Sequence, residues 1–269
     1  MAATIKEYIS LSAEEKMNII NEYIPKNDFY VELNDRTPYV VHKETGLTFA
    51  FIPGGYGNKG LSDLEFSLIK KINNNHLDID NDTFSHLKPL HKVFVNNILI
   101  SDYPVSWEFV SHYYPQYKGN KGAAWLTKNE IDDLCSRLNM RLPSDDEWEY
   151  AARCGKQQLF PFGNFMIKNE DELEKWLILD YDKTKMNCNE LGLYGLFYGE
   201  WTNSRYTNSY SEEDMKNPTE YFCIRGGAAQ FYPWQDCGEW LRCACAYRMS
   251  SSGLFKDKAA AFRLVYELS

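Results

Sequence analysis

Three cysteines close one short stretch, RGGAAQFYPWQDCGEWLRCACAYR (residues 225–248). Thiolates are strong nucleophiles and select soft metals. Cys243 and Cys245 form a Cys-x-Cys pair. On a strand, where side chains alternate, both would face one way and could hold a soft metal; on the core side of that strand they would be small apolar fillers. The same stretch gathers Phe231, Tyr232, Trp234 and Trp240, rings with large apolar faces and polar tips that suit a recognition surface as well as a core. Upstream, NNNHLDIDNDTF (residues 73–84) spaces Asp78, Asp80 and Asp82 like the start of a calcium loop. Thr83 stands where that loop turns on glycine, and Pro89 where it needs a bidentate Glu, so a solvated acidic loop is expected.

The elements that must position these residues announce themselves unevenly. Ser12-Ala-Glu-Glu15, Thr127-Lys-Asn-Glu130 and Ser144-Asp-Asp-Glu147 are capping boxes. The first predicts a helix over 13–24, with Met17, Ile20 and Ile24 at helical spacing and Pro25 as its stop. The second opens a helix whose stripe is Ile131, Leu134, Cys135 and Leu138, making Cys135 a core thiol. The third opens a helix with Trp148, Ala151 and Ala152 on one face, ended by Gly155; its acidic first turn also suits the helix dipole. LTFAFIPGG (residues 47–55) reads as a strand ending in a turn. HKVFVNNILISDYPVSW (residues 91–107) reads as strands broken at Asn96-Asn97. After Gly155 the pattern dissolves into short aromatic strands and loops. With no linker dividing 37–269, the expected organisation is an N-terminal helical extension over 1–36 and one domain over 37–269.

Composition bounds the function. Hydrophobic residues are 44% of the 269, charged residues 25% and aromatics 15%, so the chain can build a core and still show aromatics at its surface. A formal net charge of −9 argues against a nucleic-acid partner and against anionic membranes. The start lacks the basic and apolar regions of a secretory leader, and no apolar run has the length of a membrane span. Seven cysteines, an odd number scattered along the chain, read as reduced thiols in a cytoplasm-like compartment.

FIPGG (51–55), LKPLHKVFV (87–95), YPVSWEFV (103–110), RLPSDDEWEYAARCG (141–155), FPFGN (160–164), NELGLYGLFYGEW (189–201), IRGGA (224–228) and AFRLV (261–265) follow one another in order. In these blocks the chain resembles the formylglycine-generating enzyme, or sulfatase-modifying-factor, family. The resemblance implies an α+β, C-type-lectin-like fold with little regular secondary structure. Catalytic members hold copper on two cysteines shortly after the diglycine. Counted from Gly227, those places fall at or beside Phe231 and Asp236; Cys237 adjoins the second, and the first has no cysteine near it. A lone thiol does not make a two-thiolate copper site, so no catalytic residue, metal or cofactor is assigned. Iron-dependent relatives carry additional histidine ligands, whereas His86 and His91 lack that spacing and His91 takes a structural place in the family pattern. Asn189 and Glu200 match part of a calcium pattern, but Gly195 replaces its Asp and FYGEW shortens its second segment.

The resemblance extends to the variable ligand-binding proteins of diversity-generating retroelements, in which positions between RGG and FRLV are rewritten from Asn codons. Ser250–Ser252 and Ala259–Ala261 read as descendants of such codons. The function expected first is therefore non-catalytic binding of a protein or other macromolecule through a C-terminal variable surface. A relative with a fixed ligand or scaffold role, and a copper- or iron-dependent oxidase, are the alternatives. The contact residues expected are Gln230, Phe231, Tyr232, Trp234, Asp236, Glu239 and Trp240 in the first half of the segment. Tyr247, Met249, Ser250, Ser252, Leu254, Phe255 and Asp257 follow in the second. Arg225, Gly226, Gly227, Phe262 and Arg263 are the framework, the arginines in buried ion pairs and the glycines on tight backbone paths.

Overall fold

The computed structural model describes residues 4–34, 37–72, 84–119, 122–167, 169–177, 181–227, 243–252 and 260–268. Two short helices begin it, α1 (Ile5–Ser10) and α2 (Ala13–Tyr23), each closed by a reciprocal capping box from Thr4 and Glu7, and from Ser12 and Glu15. Ile5, Tyr8, Ile20 and Ile24 bury themselves in the main core. β1 (Phe29–Leu33) then pairs antiparallel with β2 (Pro38–His42), and β2 with β3 (Thr48–Ile52). The five-stranded sheet, in order β1-β2-β3-β6-β11, is completed by β6 (Ile98–Ser101) and β11 (Val265–Glu267). Residues 4–34 thus supply an edge strand to this sheet and side chains to the same core.

A separate two-stranded ribbon joins β4 (Gly55–Lys59) to β5 (His91–Val95), with α3 (Asp63–Ile72) between them in sequence. α4 (Trp107–Tyr113), α5 (Lys128–Leu138) and α6 (Asp145–Ala152) follow. α5 and α6 start at Thr127 and Ser144 with reciprocal capping boxes, and α5 ends on Asn139 in the left-handed conformation. Ile131, Leu134 and Cys135 of α5 are buried in the main core, and every residue of α6 except Asp146 is buried. After α7 (Glu170–Leu177), the second sheet begins with β7 (Gly199–Arg205); α8 (Glu212–Lys216) intervenes before β8 (Phe222–Arg225).

The second sheet positions the C-terminal segment. Its order is β10-β7-β8-β9, with β9 at Arg248–Ser251 and β10 at Ala260–Phe262. β8 pairs antiparallel with both β7 and β9, while β10 lies parallel to β7, so the sheet is mixed. α6 packs across β7 and β8 on one side and the β4–β5 ribbon on the other. A second apolar cluster, built on Phe66 and Ile69 of α3, Leu173 and Leu177 of α7, and Phe160 and Phe197, supports the turn that precedes β9.

Candidate functional site: the C-terminal binding segment

The segment leaves the second sheet at Arg225, the last residue of β8, and Arg225 faces Arg248 of β9 in register. Both guanidiniums are buried, and each is held for a stated reason. Arg225 Nε pairs with Asp145, and Nη2 lies 2.7 Å from Glu149 Oε2 and donates to Tyr210 Oη at 2.8 Å. Its Nη1 donates to the carbonyls of Cys245 (3.3 Å), Ala246 (3.0 Å) and Tyr247 (3.5 Å), so one side chain clamps the exit and the return of the segment together. Arg248 donates to Thr207 Oγ1 at 2.9 Å and to the His86 carbonyl, and its guanidinium lies 4.0 Å from the centre of the Tyr210 ring.

The first turn of α6 supplies the anions of this layer. Asp145 receives Arg225 and also Lys59, whose Nζ is 2.5 Å from Oδ2. Burial alone would raise the Asp145 pKa; Arg225 and Lys59 outweigh it and hold the carboxyl well below the usual range. Glu149, one turn on, also takes Arg153 at 2.8 Å, and Arg153 in turn reaches Glu65 of α3. A third pair sits at the far end of the segment, where Arg263 Nε donates to Glu200 Oε2 at 2.8 Å and Trp148 Nε1 donates to the same oxygen at 2.7 Å. Arg263 Nη1 donates to the carbonyls of Ser101 (3.1 Å) and Asp102 (2.8 Å), tying this pair to the first sheet.

The framework expected around the diglycine is therefore present: Arg225 and Arg263 are paired and fully buried, and Phe262 is buried between them and the core. Gly226 has φ +83°, and a Cβ there would lie 2.2 Å from the Tyr198 carbonyl oxygen, a position no other residue can occupy without moving backbone. Sequence reasoning missed the anions. Asp145 and Glu149 sit inside the capped α6 block, where they read as first-turn and solvent-side charges; their burial follows from β7 and β8 packing across the helix. Arg248 and His86 gave no sequence signal, since their partners lie far away along the chain.

Of the expected contact residues, Gln230, Phe231, Tyr232, Trp234, Asp236, Glu239, Trp240, Leu254, Phe255 and Asp257 lie outside the described residues, as do Asp78, Asp80, Asp82 and Cys237. Tyr247 is half-buried against the second cluster and Met249 half-buried against the main core; Ser250 is exposed and Ser252 half-buried.

The thiols divide rather than converge. Residues 243–247 form a turn and not a strand, so Cys243 and Cys245 do not share a face. Cys245 is buried in the main core and Cys243 in the second cluster. Burial pushes the Cys245 and Cys223 thiols up well beyond the ordinary cysteine range, and Cys154 up to about 12, which leaves them protonated and poor as nucleophiles or ligands at neutral pH. The calcium pattern does not fit either. Asn189 Oδ1 accepts from the backbone N–H groups of Leu191 (3.1 Å) and Leu193 (3.0 Å), and both Glu200 oxygens lie against Arg263 Nε. The atoms that would ligate a cation are spent on the protein. Among the described residues, no three His, Cys, Asp or Glu side chains are grouped to hold a metal, and no helix is long and apolar enough to cross a membrane.

Known proteins agree with this architecture. The chain is 33% identical over 103 residues to inactive C-alpha-formylglycine-generating enzyme 2 of Bos taurus, covering 33% of this chain and 34% of that protein. The Mus musculus protein of the same name is 31% identical over 101 residues, with 33% of each chain covered. The chain spans about a third of the length of these curated relatives. Among solved structures, PvdO from Pseudomonas aeruginosa superposes with a TM-score of 0.62 at 16% identity, over 87% of this chain and 99% of that one. Variable protein 1 of Treponema denticola superposes with a TM-score of 0.51 at 14% identity, over 88% of this chain and 98% of that one. The fold is thus the α+β, formylglycine-generating-enzyme-like fold that the sequence blocks imply. Residues 104–268, more than half of the chain, match the sulfatase-modifying factor enzyme 1-like domain, and the chain belongs to that family.

Proposed function

We propose that this protein is a non-catalytic binder that presents the segment between Gly227 and Ala260 to a protein or other macromolecular ligand, in the manner of the variable proteins of diversity-generating retroelements. The observation that carries this reading is the layer of buried ion pairs that brackets the segment. Arg225 and Arg263 at its ends, and Arg248 within it, are fixed by Asp145, Glu149, Glu200 and backbone carbonyls, and none of these ion pairs uses the side chain of an expected contact residue. Such an arrangement separates framework from contact positions, as antibody domains do. The mixture of rings and small polar groups between them, from Tyr232 and Trp234 to Asp257, offers contact area at low entropic cost together with adaptable hydrogen bonds.

The absence of catalysis rests on the thiols. A cysteine is missing at the first copper place, and burial holds the Cys223 and Cys245 thiols protonated. The relatives named as inactive formylglycine-generating enzymes support the same reading. Copper loading followed by mass spectrometry of a sulfatase-type cysteine peptide tests it: the peptide is expected unchanged, and stoichiometric copper with turnover to the aldehyde would overturn the proposal. The variable character has its own test in the source genome. A reverse transcriptase gene and an imperfect copy of the final coding segment should lie nearby; if both are missing, a fixed ligand is the better reading.

A further inference from the structure

The β4–β5 ribbon carries a feature that the C-terminal segment does not explain. Tyr56 and Phe94 are direct cross-strand partners, their ring centroids 5.0 Å apart in an edge-to-face arrangement. Yet Tyr56 is 77% exposed and Phe94 58%. A pair of rings this exposed on one face is unusual in a chain with room in two cores, and such patches mark interaction sites. β4 packs closely on α6: a Cβ at Gly57 would meet Tyr150 Cδ2 at 2.5 Å.

Two clefts flank the rings. One, of about 310 Å³, lies between the ribbon and the start of α1 and is lined by Lys6, Tyr56 and Lys92. The other, of about 700 Å³, runs from Phe94 and Val93 to Met215 and Pro218, with Lys92 and Arg205 on its walls. None of the residues described at 243–252 lines either cleft. The charge is one-sided. Asp145 and Asp146, the acids in the larger cleft, are neutralised by Lys59 and Arg225. Among the described residues, Lys6, Lys92 and Arg205 have no carboxylate partner; Arg205 donates only to the Glu220 carbonyl and lies over the Phe222 ring. Three cations without counter-charges thus surround an apolar pair on a chain whose net charge is −9. At physiological salt charges beyond about 8 Å are largely screened, so the unpaired cations of the cleft walls weigh most for a partner seated between them.

We propose that the outer face of the β4–β5 ribbon is a docking site for an acidic segment of another protein, with an apolar side chain seated on Tyr56 and Phe94 and carboxylates on Lys6, Lys92 and Arg205. The residues that form the site are none of the expected contact residues of the C-terminal segment. Fluorescein-labelled peptides of alternating Glu and Leu, alternating Lys and Leu, and alternating Glu and Ser are the probes, read by fluorescence anisotropy against the full chain at two salt concentrations. The Glu–Leu peptide is expected to bind in a salt-sensitive way and the other two not. Lys92→Glu and the double variant Tyr56→Ser/Phe94→Ser should each weaken it about tenfold or more, while melting like the parent because the altered side chains are exposed. The proposal is overturned if the Glu–Leu peptide fails to bind at millimolar concentration, if the Lys–Leu peptide binds as well, or if the variants bind like the parent. It is equally overturned if a dT10 oligonucleotide displaces the peptide, or if the double variant converts a dimer to a monomer in sedimentation, which would assign the face to a second copy.

Discussion

The Glu200–Arg263 pair sets the tone at the scale of single residues. Both side chains are fully buried, and the pair holds β7 against the first sheet through Ser101 and Asp102. Removing one partner leaves an uncompensated charge in a dry interior, whereas removing both leaves only lost packing. Arg263→Met is therefore expected to lower the stability by about 3–5 kcal/mol in urea unfolding, and the double variant Glu200→Gln/Arg263→Met to recover part of that loss. A second residue, His86, ties stability to pH. Burial, and then the nearby Arg248 and Arg225, bring its pKa down from 6.5 to about 4. The unfolded chain takes up that proton first, so the stability owed to neutral His86 is complete above pH 6.5 and is lost as the pH falls toward 4. His86→Gln, which keeps the backbone carbonyl that Arg248 uses, should flatten the fall in melting temperature across this window relative to the parent. Equal pH slopes in the two proteins would remove His86 from the account.

Elements were legible where local chemistry marked their ends. The capping boxes at Ser12, Thr127 and Ser144 predict α2, α5 and α6 to within about one residue at their starts. The same signal was present for α1 in Thr4 and Glu7, and for α3 in Ser62 and Glu65, whose side chains also bond reciprocally; α1 has only six residues, and sequence reasoning missed the box of α3 although Phe66 and Ile69 follow it at helical spacing. β1 and β2 were not legible, because β1 is an edge strand with one buried residue and the sequence between Leu33 and Pro38, Asn-Asp-Arg-Thr, carries no diglycine or Asn-Gly hairpin signal. For the Cys243–Cys245 pair the reading as small apolar fillers holds, since both are buried, while the strand assumed for them does not. Its spacing suits a strand, but the chain turns there, because Arg225 collects three successive carbonyls and the Cys245 N–H donates to Leu159 O at 2.7 Å. For α6, Ser144→Ala should cost about 1 kcal/mol through the lost cap. More than that in a denaturant titration would reveal that the first turn, with Asp145 inside it, shifts when the cap is lost.

At the scale of the whole molecule, the family blocks made the fold legible, since they fall on the elements that build both sheets. The candidate site was legible only in its frame. Arg225, Gly226 and Arg263 belong to the family blocks, but what a ligand-facing residue contacts is not written in the chain that carries it. The expected contact residues are therefore tested by stability. Tyr232→Ala, Trp234→Ala, Trp240→Ala and Phe255→Ala should each change folding by under about 0.5 kcal/mol. Losses of roughly 3–5 kcal/mol in all four melting curves would make these rings core and sink the proposed surface. The clamp by Arg225 carries one more consequence. It fastens Arg225 to residues 245–247, so the chain between Gly227 and Cys243 closes a ring whose two ends are already joined. The entropy of closing such a ring grows with the logarithm of its contour, and doubling it costs only about 0.6 kcal/mol. On the proposed reading of this span as a surface segment, insertions and deletions in it are expected to cost the fold little, so that its length, like its composition, is open to change.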